Sequence, residues 1–283
     1  MAARALLRVG GVPEHFNYPL RLASKAAAAP FAWTEYAGGS GEMATALREG
    51  ELDVAILLTE AAALFAHKGE VTILGAYTTT PLCWGVHASA ARPAPALDAA
   101  TYGVSRFGSG SHIMALVDAR GRGAPPPAFE VVRDLAGARD ALASGAADVF
   151  MWEKFTTKPY VDGGEFARIG ECVTPWPCFL VAASDAALAA QGDAIVAALR
   201  VVREEAARLR KAPDLVAVIS KMYGLAEADV AEWLGTVAWE SEPAVSHAML
   251  ARVMETLADV GVLERADLVP PSALVSALTR NLD

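Results

Sequence analysis

The sequence predicts a two-lobe α/β protein, and three observations carry that expectation. Apolar, strand-like runs alternate with helix-like segments through the first 150 residues, the pattern of a parallel sheet covered on both faces. Two Gly/Ser turns, Gly38-Gly39-Ser40-Gly41 and Gly108-Ser109-Gly110-Ser111, each follow such a run and open a helix-like segment. The third is an echo: Leu47-Arg48-Glu49-Gly50-Glu51-Leu52-Asp53-Val54 agrees at four positions with Leu142-Ala143-Ser144-Gly145-Ala146-Ala147-Asp148-Val149, 95 residues on. A turn that opens a helix aims free N–H groups, small hydroxyls and the positive end of the dipole at one spot. Two such turns in two similar halves suggest two jaws around one small ligand.

In chain order, Ala5 to Val12 reads as a buried strand stopped by Pro13, and Asn17 to Ala29 as a helix stopped by Pro30. Ala32 to Tyr36 alternates as a strand, and a helix follows from Gly41 to Glu49, with Gly50 as its stop. Asp53 to Leu58 is a further apolar strand ending at Thr59-Glu60. Thr72 to His87 and Thr174 to Ala182 read as extended crossovers between the halves. Between them lie a strand Thr101 to Phe107, a helix to Ala119, and a breaker-rich loop Gly121 to Pro127. Phe129 to Val132, a helix Asp134 to Ala143 and a strand Asp148 to Trp152 complete that half. From Asp185 the chain is almost wholly helical, with stops at Pro213, Gly224 and Pro243. The expected lobes are therefore 1–83 plus 180–283, which is discontinuous, and 84–179, with the ligand cleft between them. Such a hinge lets lobes close over a ligand.

The bulk numbers narrow the function. With 283 residues, the chain is long enough for two cores. A composition 54% hydrophobic and 20% charged is globular rather than disordered. The formal charge of −9, with no basic stripe, argues against a nucleic-acid partner. Cys83, Cys172 and Cys178 give neither a disulfide framework nor a zinc site, so no metal and no cofactor are expected. No apolar run reaches the length of a bilayer span, so no membrane insertion is expected. The first strand leaves no room for a leader, so the chain as given is expected in the cytoplasm, or in the periplasm or outside the cell if a leader has been removed. An ABC-type permease is the expected partner only in that exported case, and the protein is expected to be a monomer.

In open α/β sheets, ligands sit beyond the carboxyl ends of the strands. That rule selects Pro13-Glu14-His15, Gly39-Ser40, Thr59-Glu60, Ser109-Gly110-Ser111-His112 and Trp152-Glu153, to which Thr80 and Trp176 on the crossovers are added. Ser109 and Ser111 suit either an anionic or carbonyl oxygen of a ligand or plain helix capping. Glu60 and Glu153 suit a ligand amine or amidine-like edge, or a helix-start carboxylate and a structural ion pair. Trp152 and Trp176 suit stacking on a flat heterocycle, and Trp176, between two prolines, equally suits hinge packing. His15 and His112 suit a carboxylate or phosphate, or ordinary loop and capping roles. Trp84 reads as core, and Trp233 and Trp239 as helix packing.

The chain resembles type II periplasmic-binding-protein folds, and within them the binders of nitrate, sulfonates and thiamine-pyrimidine precursors. The resemblance covers essentially the whole chain and is nearest to a non-secreted fungal and bacterial group of that fold. It rests on Pro13-Glu14-His15-Phe16, Leu58-Thr59-Glu60, Ser105 to Ser111, Phe150 to Thr156 and Thr174-Pro175-Trp176. It implies two mixed sheets flanked by helices, joined by two crossover hinge strands, and a solute-binding cleft. The ligand classes it implies are a thiamine-type pyrimidine precursor and a small carboxylate or sulfonate. Two other functions share the fold: a thiamine-pyrimidine-synthase-like enzyme, and a cytosolic small-molecule sensor. The synthases resembled carry clustered cysteines near the cleft, and this sequence has no such cluster. It also has no Gly-x-Ser-x-Gly elbow, Walker loop or His-Glu-x-x-His. The sequence reading is therefore of a binder rather than an enzyme.

Overall fold

The computed structural model describes residues 6–93 and 95–283. The first strand, expected from Ala5, is β1, Leu7–Gly11; Ala5 itself lies outside the described residues. It is followed by a 3₁₀ turn, His15–Asn17, and the short helix α1, Tyr18–Ala23. The expected helix to Ala29 stops six residues early. Residues 25–28 are all exposed, so a continuation would bury no apolar face, and helical stability comes mostly from such packing.

Strand β2 (Phe31–Glu35), helix α2 (Gly39–Arg48), strand β3 (Val54–Leu58), helix α3 (Thr59–His67) and strand β4 (Thr72–Ala76) come next. Then follow β5 (Pro81–Ser89), β6 (Thr101–Val104), α4 (Gly110–Gly121), β7 (Ala128–Val131), α5 (Leu135–Ser144) and β8 (Val149–Glu153). Asp134 caps α5 by accepting from the Gly137 N–H, and Gly145 ends it in the left-handed conformation. A short helix α6 (Lys158–Asp162), not anticipated from sequence, leads to β9 (Phe166–Pro177) and β10 (Phe179–Ala183). The helical tail is α7 (Asp185–Leu209), α8 (Leu215–Tyr223), α9 (Glu227–Thr236) and α10 (His247–Asp259). Two-residue strands β11 (Ala244–Val245) and β12 (Arg280–Asn281) pair beside it.

Two five-stranded sheets result, in the orders β2-β1-β3-β10-β4 and β7-β6-β8-β5-β9. The two orders are the same topology. In each, a βαβαβ unit supplies three parallel strands and the fourth position is filled by an antiparallel strand arriving from the other sheet. The sequence echo falls on equivalent junctions, α2 into β3 and α5 into β8, which accounts for its shared Gly and Asp.

The chain changes sheet between Ala76 and Pro81 and again between Pro177 and Phe179. These points lie a few residues before the expected 83/84 and 179/180. The stretch Thr72 to His87 is thus two strands rather than one, because Tyr77 to Thr80 bend from one sheet to the other. The two crossings are tied side by side: Cys178 N–H donates to Thr80 O at 2.9 Å, Thr59 N–H to Cys178 O at 3.0 Å, and Tyr77 N–H to Phe179 O at 2.9 Å. Strand β6 ends at Val104 rather than Phe107, and residues 105–109 form the turn into α4. Trp239 lies beyond α9 rather than on a helix, where its indole donates to Phe16 O at 2.9 Å.

Candidate functional site

Between the carboxyl ends of the two sheets lies a cleft. From the first sheet come Val12 and Glu14 after β1, the Gly38-Gly39-Ser40 turn after β2, and Leu58 at the end of β3. Ser105, Arg106 and the Ser109-Gly110-Ser111 turn come from the end of β6, and Trp152 and Glu153 from the end of β8. Leu82 and Trp84 on β5 and Phe179 on β10 close it from the hinge side.

The hydroxyls of both turns are committed to shaping the turns. Ser40 Oγ accepts from Leu58 N–H at 3.0 Å, fastening the first turn to the end of β3. Ser109 Oγ caps α4 by accepting from His112 N–H at 3.4 Å. Ser111 Oγ accepts from Ser105 N–H at 3.1 Å and lies 3.1 Å from Ser109 Oγ. The two turns meet across the mouth of the cleft, where Arg106 Nη1 donates to Gly38 O at 2.9 Å. A Cβ at Gly41 would overlap the Arg106 guanidinium, so the glycine there makes room for the arginine to pass.

The walls are acidic and aromatic. Glu153 is buried, and its Oε2 accepts from Thr156 N–H at 2.6 Å and Thr156 Oγ1 at 2.8 Å. Burial raises its pKa. Glu14 is partly buried beside it. Burial, and then the neighbouring Glu153, push the Glu14 carboxyl up to about 8. Glu60 begins α3 and is fully buried, with Oε2 accepting from Trp176 Nε1 at 2.9 Å and Oε1 without a partner. Burial pushes it up to about 7. It sits under the cleft floor: a Cβ on Gly110 would stand 3.2 Å from Glu60 Oε1 and 3.0 Å from Trp84 Cη2. Trp152 stacks on Phe150 with ring centroids 5.4 Å apart.

The expected site residues thus divide. Glu14, Gly39, Ser40, Ser109, Gly110, Ser111, Trp152 and Glu153 line one cleft. Glu60 lies just beneath it. Thr59, Thr80 and Trp176 belong to the hinge: Thr59 Oγ1 donates to Pro177 O at 2.5 Å, and Thr80 Oγ1 accepts from Ala238 N–H at 3.2 Å. His15 is 1% exposed, stacked on Phe16 and edge-on to Trp233, with Nε2 3.9 Å from Glu153 Oε2. Burial lowers it to about 3, so it is a neutral core histidine, not a cleft donor. His112 turns away from the cleft to pack on Phe107 and Phe129, with Nδ1 accepting from Gly108 N–H at 3.2 Å. Polarity at a strand end marks both histidines from sequence, but the direction of the side chain depends on the local turn.

Trp84, which reads as core, is both buried and part of the lining. Leu82, Trp84 and Phe179 were missed because they lie on the crossing strands rather than in loops. Arg106 was legible as part of the Ser105 to Ser111 motif. All three cysteines are free thiols, with Cys178 buried against Thr78 Oγ1 at 3.1 Å. Among the described residues no group of three or more His, Cys, Asp or Glu is placed to hold a metal. No helix among them is long and apolar enough to cross a membrane.

These titrations set the pH profile of stability. Glu14 and Glu60 rise above the ordinary 4.5, so from there to about 8 and about 7 the folded state holds protons that the unfolded chain has lost. Stability from them falls as pH rises through that window. His15 and His87 are lowered by burial from 6.5 to about 3 and about 4, so their contribution is complete above 6.5 and is lost as pH falls. The two effects oppose each other below 6.5, and only the acids remain above it. The ligand-free melting temperature should therefore decline between about pH 6.5 and pH 8. Calorimetry across that range checks it; a rising profile would show that the acids are ionised in the folded state.

Residues 84–172 match a family model described as Ca3427-like PBP, periplasmic binding proteins. The structure is similar to that of the Candida albicans CA3427 gene product, described as defining a new family with the generic periplasmic binding protein fold. The two share 29% identity over 99% of this chain and 98% of that one, with a TM-score of 0.89. The alkanesulfonate-binding protein SsuA from Xanthomonas axonopodis pv. citri, bound to MOPS, matches at 16% identity and a TM-score of 0.74, over 99% and 100% of the chains. The periplasmic aliphatic sulphonate binding protein SsuA from Escherichia coli matches at 16% and 0.69, over 99% and 95%. At that identity the SsuA matches show the fold alone. No curated protein matches by sequence.

Proposed function

We propose that this chain, which has the periplasmic-binding-protein fold and is related to the Ca3427-like proteins, is a solute-binding protein that closes two lobes over a small planar heterocycle. One lobe comprises the chain to Ala76 with Phe179 onward, and the other Pro81 to Pro177. The segments Tyr77 to Thr80 and Cys178 are the hinge between them. Of the two ligand classes suggested by sequence, an aminopyrimidine of the thiamine-precursor type is favoured over a small carboxylate or sulfonate.

The single observation behind that preference is the wall chemistry. The cleft offers the carboxyl groups of Glu14 and Glu153 together with the indoles of Trp84 and Trp152. Carboxylates accept hydrogen bonds, so they suit a ring carrying amino groups, and indoles suit its faces. A sulfonate would bring its own oxygens against those acids. The one cation in the lining among the described residues, Arg106, is engaged with Gly38 O. The same chemistry supports binding rather than catalysis, because among the described residues the lining has no nucleophile activated by a neighbouring base.

Thermal denaturation with a ligand panel tests this reading. A micromolar ligand at millimolar concentration adds about 4 kcal/mol. 4-Amino-5-hydroxymethyl-2-methylpyrimidine should stabilise the protein and change its tryptophan fluorescence, while acetate and methanesulfonate should not. Stabilisation by the sulfonate and not by the pyrimidine would reverse the assignment. No shift with any solute would remove the binding function.

A further inference from the structure

We propose that the cleft selects a positively charged nitrogen group, an amidinium or protonated aminoheterocycle, which takes Glu14 as its counter-ion and displaces the proton that this carboxyl carries. The inference rests on the cleft being the solute site and adds the charge of the solute and the proton that leaves.

The geometry begins with an imbalance. Two carboxyl groups, Glu14 from the end of β1 and Glu153 from the end of β8, come from opposite sheets into one lining, and among the described residues no cation is paired with Glu14 there. The cations near them are spent elsewhere. Lys154 turns out of the cleft to Glu232 at 3.0 Å and Glu171 at 3.2 Å. Arg168 donates to Lys154 O at 2.6 Å, and its charge reaches Glu153 only through space. Arg106 is held at the mouth by Gly38 O, where the charge of Glu42 acts on it. His15, the remaining titratable neighbour, is buried and neutral behind Glu153. Beneath the floor Glu60 keeps one oxygen unpartnered at full burial, its other oxygen taken by Trp176.

Two adjacent carboxyls in a desolvated wall cannot both ionise at low cost, so one holds a proton. Of the two, Glu153 has the donors that favour its ionised form, Thr156 N–H and Oγ1. Glu14 has no comparable set of donors and carries the proton, in keeping with its raised pKa. A cation entering the cleft supplies the missing positive charge. The Glu14 O–H bond breaks, the proton goes to solvent, and the carboxylate pairs with the ligand N–H⁺. The charge of the filled cleft is then the same as that of the empty one. A neutral amide in the same place leaves the proton on Glu14, and a carboxylate meets the ionised Glu153.

The test compares benzamidine, benzamide and benzoate, flat probes of one shape and three charges, by titration calorimetry on the intact protein between about pH 6 and pH 8. Only benzamidinium should bind. Its affinity should rise roughly tenfold between about pH 6 and pH 7, because each binding event releases one proton below the Glu14 pKa. Binding heats in buffers of different ionisation enthalpy should report that proton directly. In Glu14→Gln the proton release should vanish and the affinity become nearly flat with pH, with folding checked by melting temperature. Benzamide or benzoate binding as well as benzamidinium, or benzamidinium binding without proton release, overturns the proposal. So does failure of benzamidinium at every pH while the neutral aminopyrimidine stabilises the protein, a result that leaves the solute-binding reading standing. Failure of all solutes alike removes both.

Discussion

Trp176→Ala should cost the protein about 3–5 kcal/mol of stability, the range for deleting a large buried aromatic. Trp176 is 4% exposed and lies one residue before the end of β9, at the crossing back to the first sheet. Its indole spans the two sheets, because the acceptor, Glu60 Oε2, stands at the start of α3 directly after β3. Trp176→Phe keeps most of the packing and removes only the donor. Glu60, whose other oxygen already lacks a partner, would then be a buried carboxyl with no side-chain donor, at a cost of about 1–3 kcal/mol. Urea denaturation of both variants, with Glu60→Leu and the double variant completing a cycle, separates packing from the hydrogen bond. The coupling between Trp176→Phe and Glu60→Leu should lie between about 0.5 and 3 kcal/mol. Zero coupling would mean that the indole holds the hinge by its volume alone.

That pair also marks where sequence reasoning reached its limit. The fold was legible because its signals are local and repeated: apolar runs of strand length, Gly stops after helices, and a junction that recurs 95 residues on at the same topological place. The strand-end rule found the polar lining, from Glu14 to the two turns and to Trp152 and Glu153, because those residues lie at or just beyond the carboxyl ends of parallel strands. It could not say which way a polar residue turns. His15 follows β1 as Glu14 does, yet it begins a 3₁₀ turn and is carried into the Phe16–Trp233 packing. Trp84 and Phe179 reach the cleft only because β5 and β10 each fill the antiparallel position of a sheet begun elsewhere in the chain. That is long-range pairing, and no local pattern encodes it. Helix α1 failed in the opposite direction, since Ala-rich propensity alone does not sustain a helix whose next turn would bury nothing.

Gly110→Ala should close the cleft while leaving the protein folded. Gly110 is the first residue of α4 and the point where the turn comes nearest the floor. A methyl group there would overlap Leu58 Cδ1 and stand 3.0 Å from Trp84 Cη2. Both neighbours are side-chain ends in the lining, so one must move, and the space open to it is the cleft itself. Overpacking of this kind costs about 1–3 kcal/mol. Ligand affinity should fall at least about tenfold, the equivalent of roughly 1.4 kcal/mol. Gly39→Ala separates this wedge from a general effect of altering a glycine. Gly39 lines the same cleft at φ +71°, with nothing within 4 Å of a new Cβ. Its variant pays only for left-handed backbone, about 1–2 kcal/mol, and should retain affinity. Equal stability loss in the two variants, with binding lost in Gly110→Ala alone, is the expected pattern under thermal denaturation with and without the aminopyrimidine. Unchanged affinity in Gly110→Ala would move the solute away from the Leu58–Trp84 floor, toward the mouth that Arg106 spans.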